Sequence, residues 1–231
     1  MNTDKTNAST AFSYPCSSVS SVVGSSGLFL SLDGIDGTGK STQCWLLGEY
    51  LREHGHDVVA CVDPGGTPLG QDLRQILLVG KHALSPACEA LLFMASRAQL
   101  VADAIRPALD AGRVVVSDRY LLANVVYQGH AGGLDVDQLW QVGALSTGGI
   151  EPDLTFVLDL PLDLAFARRG RPADRMESRP RDYHERVRAG FLAEARRRPD
   201  RYVVIDATPG VEAIQADIRR RVDALLARRT P

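Results

Sequence analysis

The chain has 231 residues and a formal net charge of −2, so no broad basic field indicates nucleic-acid binding. No apolar run approaches the length of a transmembrane helix, which argues against a membrane protein. The four cysteines are scattered without a C-x-x-C spacing, which argues against a zinc or disulfide framework and predicts a reducing, cytoplasmic setting.

The first 26 residues differ in composition from the rest of the chain. They are rich in Ser, Thr and Asn and carry almost no large apolar side chains. They also lack the basic start and apolar segment of a secretory signal. We therefore predict a flexible N-terminal tail over residues 1–26 and one globular domain over residues 27–231.

From residue 27 onward, short apolar runs typical of buried parallel strands alternate with helical patterns. The predicted strands are residues 28–32, 58–61, 114–117, 154–158 and 202–205. The predicted helices lie around residues 40–53, 68–79, 86–110, 135–147, 161–169, 180–197 and 210–228. This alternation predicts an α/β fold in which a five-stranded parallel sheet carries helices on both faces.

A phosphate-binding motif follows the first predicted strand. Residues 34–42 read Gly-Ile-Asp-Gly-Thr-Gly-Lys-Ser-Thr, which matches G-x-x-x-x-G-K-[ST]. In such a P-loop the backbone N–H groups surround a nucleotide phosphate, Lys40 reaches the β- and γ-phosphates, and the Ser41 hydroxyl can bind Mg²⁺. The motif predicts a P-loop NTPase fold and an ATP site formed by Gly34, Ile35, Asp36, Gly37, Thr38, Gly39, Lys40, Ser41 and Thr42.

Acidic residues follow each of the five predicted strands. They are Asp33 and Asp36, then Asp63, Asp118, Asp159 and Asp206. Because ligands in open parallel sheets bind beyond the carboxyl ends of the strands, this pattern predicts a polar cleft at that edge.

Residues 168–181 form the most basic segment, with six arginines in fourteen residues together with Gly and Pro. Most charge runs are solvated surface loops. Here a mobile lid is the functional interpretation, because planar guanidinium groups suit phosphate oxygens.

Together these motifs resemble the thymidylate kinase family of nucleoside-monophosphate kinases. The resemblance covers about residues 27–228 and is carried by separate segments in the same order. These segments are Leu-Asp-Gly-Ile-Asp-Gly-Thr-Gly-Lys-Ser-Thr (32–42), Asp-Pro-Gly-Gly-Thr (63–67), Leu-Leu-Phe-Met-Ala-Ser-Arg (91–97), Asp-Arg-Tyr (118–120), Tyr-Gln-Gly (127–129), Pro-Asp-Leu-Thr (152–155) and Asp-Arg-Met-Glu (174–177).

The resemblance implies an enzyme that transfers the γ-phosphoryl group of ATP to dTMP, with Mg²⁺ as cofactor, in dTTP biosynthesis. It implies a homodimer, and it makes Ser41 and Asp118 the candidate metal residues. The implied acceptor-site residues are Asp36, Phe93, Arg97, Arg119, Asn124, Tyr127 and Gln128. In the family, the aromatic residue at the position of Phe93 stacks on thymine, and the arginine at the position of Arg97 donates to a base carbonyl.

The resemblance also implies roles around the phosphates and the sugar. Arg119 would bind the dTMP phosphate, Asp118 would orient Arg119, Tyr127 would pack where a ribose 2′-hydroxyl would lie, and Asp36 would contact the 3′-hydroxyl. Some family members carry an arginine at the position of Gly37. The glycine here, beside a basic lid, implies that the catalytic arginine comes from the lid.

Arg175 and Arg171 are the lid arginines we predict first, ahead of Arg168 and Arg169. They would act with Lys40, Asp118 and Arg119. No strong general base is needed, because the dTMP phosphate oxygen is already ionised near neutral pH, so catalysis should come from positioning and charge neutralisation.

Departures from the family pattern concern fine substrate affinity, and they include Asp33-Gly34 in place of the usual Glu-Gly and Ala123 in place of a common Ser. Asp63 stands where a Glu is usual, and Val62 replaces an Arg. A kinase for a deoxynucleoside or another monophosphate is the main alternative. A GTP-dependent switch is disfavoured because the chain lacks an Asn-Lys-x-Asp motif. A binding-only pseudoenzyme is disfavoured because Lys40, Ser41 and the Asp118-Arg119 pair are present.

Overall fold

The computed structural model describes residues 27–168 and 173–229. Their strands form one parallel sheet in the order β2-β3-β1-β4-β5, and this confirms the predicted α/β architecture. The strands are β1 (Leu28–Gly34), β2 (Val58–Val62), β3 (Val114–Asp118), β4 (Leu154–Asp159) and β5 (Tyr202–Asp206). Each strand continues one or two residues beyond its predicted end, up to the polar residues at the sheet edge.

Helices connect the strands, and three of them pass into π-helical turns. The helices are α1 (Lys40–Glu53), α2 (Pro68–Arg74), α3 (Pro86–Leu100), α4 (Arg106–Asp110), α5 (Leu121–Asn124), α6 (Val136–Thr147), α7 (Leu162–Ala167), α8 (Arg181–Arg197) and α9 (Val211–Arg229). The π-helical turns are Gln75–Val79 after α2, Val101–Ile105 after α3 and Val125–His130 after α5. None of the helices in these residues is long and apolar enough to cross a membrane.

The central strand β1 explains why the sheet has two covered faces. All seven of its residues are buried. Side chains alternate between the two faces of a strand. Leu30 and Leu32 therefore join a core packed against α1, α8 and α9, while Phe29 joins a second core beneath α3 and α6.

One helical segment was not predicted from the sequence. Residues Leu121–Asn124 and Val125–His130 form a continuous helical stretch directly after β3. The adjacent β-branched residues Val125 and Val126 favour strands over helices, so the local pattern hid this helix. Both valines are fully buried, and tertiary packing therefore overrides the local preference.

Candidate active site

A large cleft lies at the carboxyl edge of the sheet and has a volume of about 870 Å³. The P-loop, the ends of β2 and β3, α3, the helical stretch 121–130, the lid and the start of α9 all contribute to it. The predicted site residues that line it are Asp36, Gly37, Thr38, Gly39, Lys40, Ser41, Thr42, Phe93, Arg97, Asp118, Arg119, Asn124, Tyr127 and Gln128. The structure thus brings together residues that are as many as 92 positions apart in the chain.

The P-loop has the backbone conformation that an anion-binding loop requires. Gly37 and Gly39 both have φ near +90°, which side chains rarely adopt. A Cβ atom at Gly37 would also overlap the Ala165 carbonyl oxygen of α7, so this position has no room for a larger residue. Lys40 Nζ donates to the Ile35 carbonyl at 2.8 Å. The lysine is thereby held inside the loop at the N-terminus of α1.

Asp33 lies at the end of β1, beneath the P-loop, and is completely buried. Neither of its carboxylate oxygens has a hydrogen-bond partner. Burial raises the pKa of Asp33 to about 7, and the Arg119 and Lys40 charges oppose that rise. The group therefore titrates near neutral pH.

Arg119 lies between the P-loop and the helical stretch 121–130. Its φ of 70° is unusual for a residue with a side chain, and its guanidinium donates to the Gly34 carbonyl at 3.0 Å and to Asp36. The Tyr127 hydroxyl donates to the other Asp36 oxygen at 3.0 Å. Burial alone would raise the pKa of Asp36, but the Arg119 and Lys40 charges hold it well below its usual range.

Ser41 and Asp118 are the two predicted metal residues, and their side chains meet directly. The Ser41 hydroxyl donates to Asp118 Oδ2. Within residues 27–168 and 173–229, no group of three His, Cys, Asp or Glu side chains is arranged to hold a metal ion. Two hard oxygen atoms beside a phosphate loop nevertheless fit Mg²⁺, which keeps several waters and takes further ligands from substrate phosphates.

Helix α3 carries three side chains at four-residue spacing, and two of them, Phe93 and Arg97, line the cleft. Ser85 caps the helix by accepting from the Cys88 N–H, and Pro86 occupies its first position. Glu89, Phe93 and Arg97 then fall on one face. Arg97 is 2% exposed and donates from Nε to Asp63 Oδ2 at 2.5 Å. Asp63, in the place of the usual Glu, therefore still reaches this arginine.

A chain of hydrogen bonds connects Arg97 to the facing helical stretch. Arg97 Nη1 donates to Asn124 Oδ1 at 3.1 Å, and Asn124 Nδ2 donates to Gln128 Oε1 at 2.8 Å. Gln128 Nε2 then donates to Glu89 Oε1 at 2.9 Å. Together with the half-buried Phe93 ring, these side chains form a pocket with both donors and acceptors.

The described lid residues pack against α3 and the π-helical turn after α2. Arg175 Nε donates to the Leu77 carbonyl at 2.6 Å, and its Nη2 lies 2.7 Å from Glu89 Oε2. Arg175 is thus not among the residues lining the cleft, whereas Arg168 is. The other predicted lid arginine, Arg171, lies outside the described residues, as does the predicted tail over residues 1–26.

Two residues in or behind the cleft were not identified from the sequence. Arg74 of α2 lines the cleft and donates to the Pro64 carbonyl at 2.8 Å, so it supplies a cation near the position where Val62 lacks one. Glu89 is buried and holds Gln128 and two lid arginines. Its position four residues before Phe93 on a predicted helix was the signal that could have found it.

A family model and individual relatives, compared with the sequence of this chain, give the same family. A family model described as thymidylate kinase matches residues 32–218. A thymidylate kinase from Symbiobacterium thermophilum is 48% identical over 204 residues, which cover 87% of this chain and 95% of that protein. One from Rhodopirellula baltica is 47% identical over 192 residues, covering 83% of this chain and 78% of that protein.

A solved structure agrees with the sequence relatives. The crystal structure of thymidylate kinase from Ehrlichia chaffeensis matches with a TM-score of 0.71 at 29% identity. The match covers 85% of this chain and 99% of that one.

Proposed function

The chain belongs to the thymidylate kinase family, and we propose that the cleft at the carboxyl edge of its sheet is where the reaction takes place. The enzyme transfers the γ-phosphoryl group of ATP to dTMP, giving dTDP and ADP for dTTP synthesis. The observation that carries the site assignment is that the P-loop and the Phe93–Arg97 face of α3 line one continuous cleft. Two nucleotides placed at its two ends would meet at their phosphates.

The acceptor base occupies the end of the cleft formed by α3 and the helical stretch 121–130. Thymine stacks on Phe93, and Arg97 donates to a base carbonyl. Asn124 supplies an amide group at the edge of the base, where the N3–H of thymine needs an acceptor, and Gln128 is hydrogen-bonded to that amide. The support is that Phe93, Arg97, Asn124 and Gln128 all line the cleft, and that hydrogen bonds join the last three.

The acceptor phosphate and sugar lie nearer the P-loop. Arg119 binds the dTMP phosphate with its guanidinium, which is already held by the Gly34 carbonyl and Asp36. Tyr127, whose hydroxyl bonds to Asp36, packs where a ribose 2′-hydroxyl would lie. A crowded contact of this type discriminates by about 1–3 kcal/mol.

The donor nucleotide lies along the P-loop, and its phosphates are surrounded by the backbone N–H groups of residues 34–42. Lys40 neutralises charge on the β- and γ-phosphates. Mg²⁺, held by Ser41 and Asp118 together with the phosphates, supplies additional charge neutralisation when bound. The remaining barrier is lowered by the in-line placement of the acceptor oxygen.

The catalytic arginine comes from the lid. The support is at Gly37, where φ near +90° and the nearby Ala165 carbonyl leave no space for an arginine in the P-loop. Arg175 and Arg171 are the candidates. Arg175 pairs with Glu89 in the structure, so it must leave this ion pair to reach a transferring phosphoryl group.

The enzyme acts as a homodimer in the cytoplasm. The support for a dimer is an apolar face on α3 and α6, where Leu91, Val142 and Leu145 are exposed by 56%, 37% and 83%. Exposed apolar residues gathered on neighbouring helices are typical of subunit contacts. A monomeric mass in light scattering at micromolar concentration would count against this proposal.

The substrate assignment is tested by initial rates with ATP and Mg²⁺ on a panel of acceptors. The panel contains dTMP, dUMP, UMP, CMP, AMP and thymidine, and product identity is established by chromatography. We expect dTMP to have the highest kcat/KM, with dTDP and ADP formed in equal amounts. Phosphorylation of thymidine without phosphorylation of dTMP would contradict the assignment.

A further inference from the structure

Glu89 is a buried acid that the mechanism above does not use. It lies on α3, four residues before Phe93, and is 2% exposed. Its carboxylate accepts from Gln128 at 2.9 Å and from Arg179 at 2.9 and 3.1 Å, and Arg175 lies 2.7 Å away. Each of these three partners is a donor, so Glu89 functions only as an acceptor here.

The bonds that lead away from Glu89 have a fixed polarity. A side-chain amide has one donor end and one acceptor end. Because Gln128 turns its Nε2 to Glu89, its Oε1 faces Asn124 and accepts from Nδ2. Asn124 consequently turns its Oδ1 towards Arg97, which can only donate. Glu89 can only accept and Arg97 can only donate. These two ends of the chain therefore require the same orientation of the amides between them.

This polarity determines what Asn124 offers to a base in the cleft. An amide oxygen has two lone pairs, and Arg97 occupies one of them. The second is available to a donor on the base edge. With the opposite amide orientation, Asn124 would instead present an N–H group.

We propose that Glu89 is a positioning residue for base selection, acting through Gln128 so that Asn124 presents an acceptor to the base. The proposal rests on the assignment of this end of the cleft to the dTMP base. Thymine and uracil carry a proton on N3, so Asn124 Oδ1 accepts from them. Cytosine has a lone pair at N3, which would face the amide oxygen without a proton between them. The relay therefore selects pyrimidines that have an N3–H group.

Arg97 supplies a second, separate discrimination. Its N–H groups suit the O4 carbonyl of thymine and are mismatched with the 4-amino group of cytosine. Loss of Glu89 should consequently weaken base selection without abolishing it, since Arg97 remains.

The same carboxylate holds Arg175 and Arg179 of the lid, so an effect through the lid has to be separated from an effect through the amides. Arg179→Gln removes one lid partner and leaves the amide chain intact. Gln128→Leu interrupts the amide chain and leaves Glu89 with both arginines. The two variants therefore test the two routes independently.

The experiment compares kcat/KM for dTMP, dUMP and 5-methyl-dCMP in the wild type and in Glu89→Gln. 5-Methyl-dCMP differs from dTMP only at N3 and C4, and dUMP lacks only the methyl group. We expect Glu89→Gln to lower the dTMP to 5-methyl-dCMP ratio by about tenfold, because glutamine can turn either a donor or an acceptor to Gln128. The dTMP to dUMP ratio should stay within twofold of the wild type.

Controls distinguish this role from a structural one. Glu194→Gln removes another buried carboxylate, 1% exposed and bonded to His130, and should leave both ratios unchanged. Gln128→Leu should reproduce the loss of discrimination, and Arg179→Gln should not.

The proposal would be overturned if Glu89→Gln left the dTMP to 5-methyl-dCMP ratio unchanged. If Glu89→Gln does not fold, an unchanged ratio in Gln128→Leu would overturn it in the same way. An equal loss of discrimination in Arg179→Gln would also overturn it. A wild-type enzyme that fails to phosphorylate dTMP would instead contradict the proposed function.

Discussion

The two ends of the cleft are built from different parts of the chain. At the P-loop end, the proposed phosphate contacts come from one continuous segment of nine residues, mainly through its backbone, and α1 begins within it at Lys40. At the base end, side-chain hydrogen bonds join five separated positions, namely Asp63, Glu89, Arg97, Asn124 and Gln128. A backbone loop recognises any nucleoside triphosphate, whereas a side-chain network can read one base. We therefore expect substitutions at the two ends to change different kinetic constants.

The largest effect is expected at the P-loop end. Lys40→Ala removes the ammonium that we propose neutralises the transferring phosphoryl group, and kcat should fall about 100- to 1,000-fold. The KM for dTMP should change little, since the base end is intact. Steady-state kinetics with both substrates varied would measure this, and Lys81→Ala, at an exposed lysine, should behave as the wild type. A large rise in the KM for dTMP instead would contradict the separation of the two ends.

The buried carboxyl of Asp33 beneath the P-loop should make the free energy of unfolding depend on pH. Its folded-state pKa of about 7 lies above the ordinary value of 3.8, so the folded state binds a proton more tightly than the unfolded state. The free energy of unfolding should therefore fall as pH rises from about 4 to about 7. A shift of this size corresponds to about 4 kcal/mol at most.

Asp33→Asn should remove this decline. Urea unfolding at pH 4.5, 6 and 8 should show the variant gaining stability relative to the wild type as pH rises. Asp206→Asn is the matched control and should keep a constant stability difference from the wild type over this range, because hydrogen bonds from Thr208 lower the pKa of this exposed carboxyl below its ordinary 3.8. Parallel curves for the wild type and Asp33→Asn would show that the buried carboxyl does not titrate in this range.

At the base end, Phe93→Ala should affect acceptor binding alone. Stacking of a base on an aromatic ring contributes about 1–3 kcal/mol, so the KM for dTMP should rise roughly 5- to 150-fold. The KM for ATP should be unchanged. Leu91→Ala, an exposed position on the same helix, serves as the control. Equal increases in both KM values would indicate that the two ends are not independent.

The smallest effect is expected between the two ends. Tyr127→Phe keeps the ring and removes the hydroxyl that bonds to Asp36 and accepts from Arg119. One such hydrogen bond contributes about 0.5–1.5 kcal/mol, so the KM for dTMP should rise roughly two- to tenfold. Discrimination against ribonucleotides should persist, because the ring remains in place. Loss of that discrimination in Tyr127→Phe would assign it to the hydroxyl.

The same contrast explains what could be predicted from the sequence. The P-loop end was predictable because its chemistry is local: Gly37, Gly39 and Lys40 are spaced by the loop itself. The order of apolar runs also predicted the five-stranded parallel sheet. At the base end, the candidate residues came from the family resemblance, and they were Phe93, Arg97, Asn124 and Gln128.

The hydrogen bonds and ion pairs that could not be predicted join side chains that are far apart in the chain. Glu89 and Gln128 are 39 residues apart, and no local pattern indicates that they bond. The helical stretch carrying Asn124 was hidden by Val125 and Val126. Arg175 is predicted as a catalytic residue because it is an arginine in a basic lid. Its ion pair with Glu89 is visible only in the fold. That Arg175 reaches the phosphoryl group stays a prediction.

A crystal structure with dTMP and a non-hydrolysable ATP analogue would test the central claim most directly. We predict the thymine ring on Phe93, its N3 within hydrogen-bond distance of the Asn124 amide, and the dTMP phosphate at Arg119. The analogue's phosphates should lie in the loop of residues 34–42. A thymine bound at the Arg168 end of the cleft, or a dTMP phosphate out of reach of Arg119, would contradict this account.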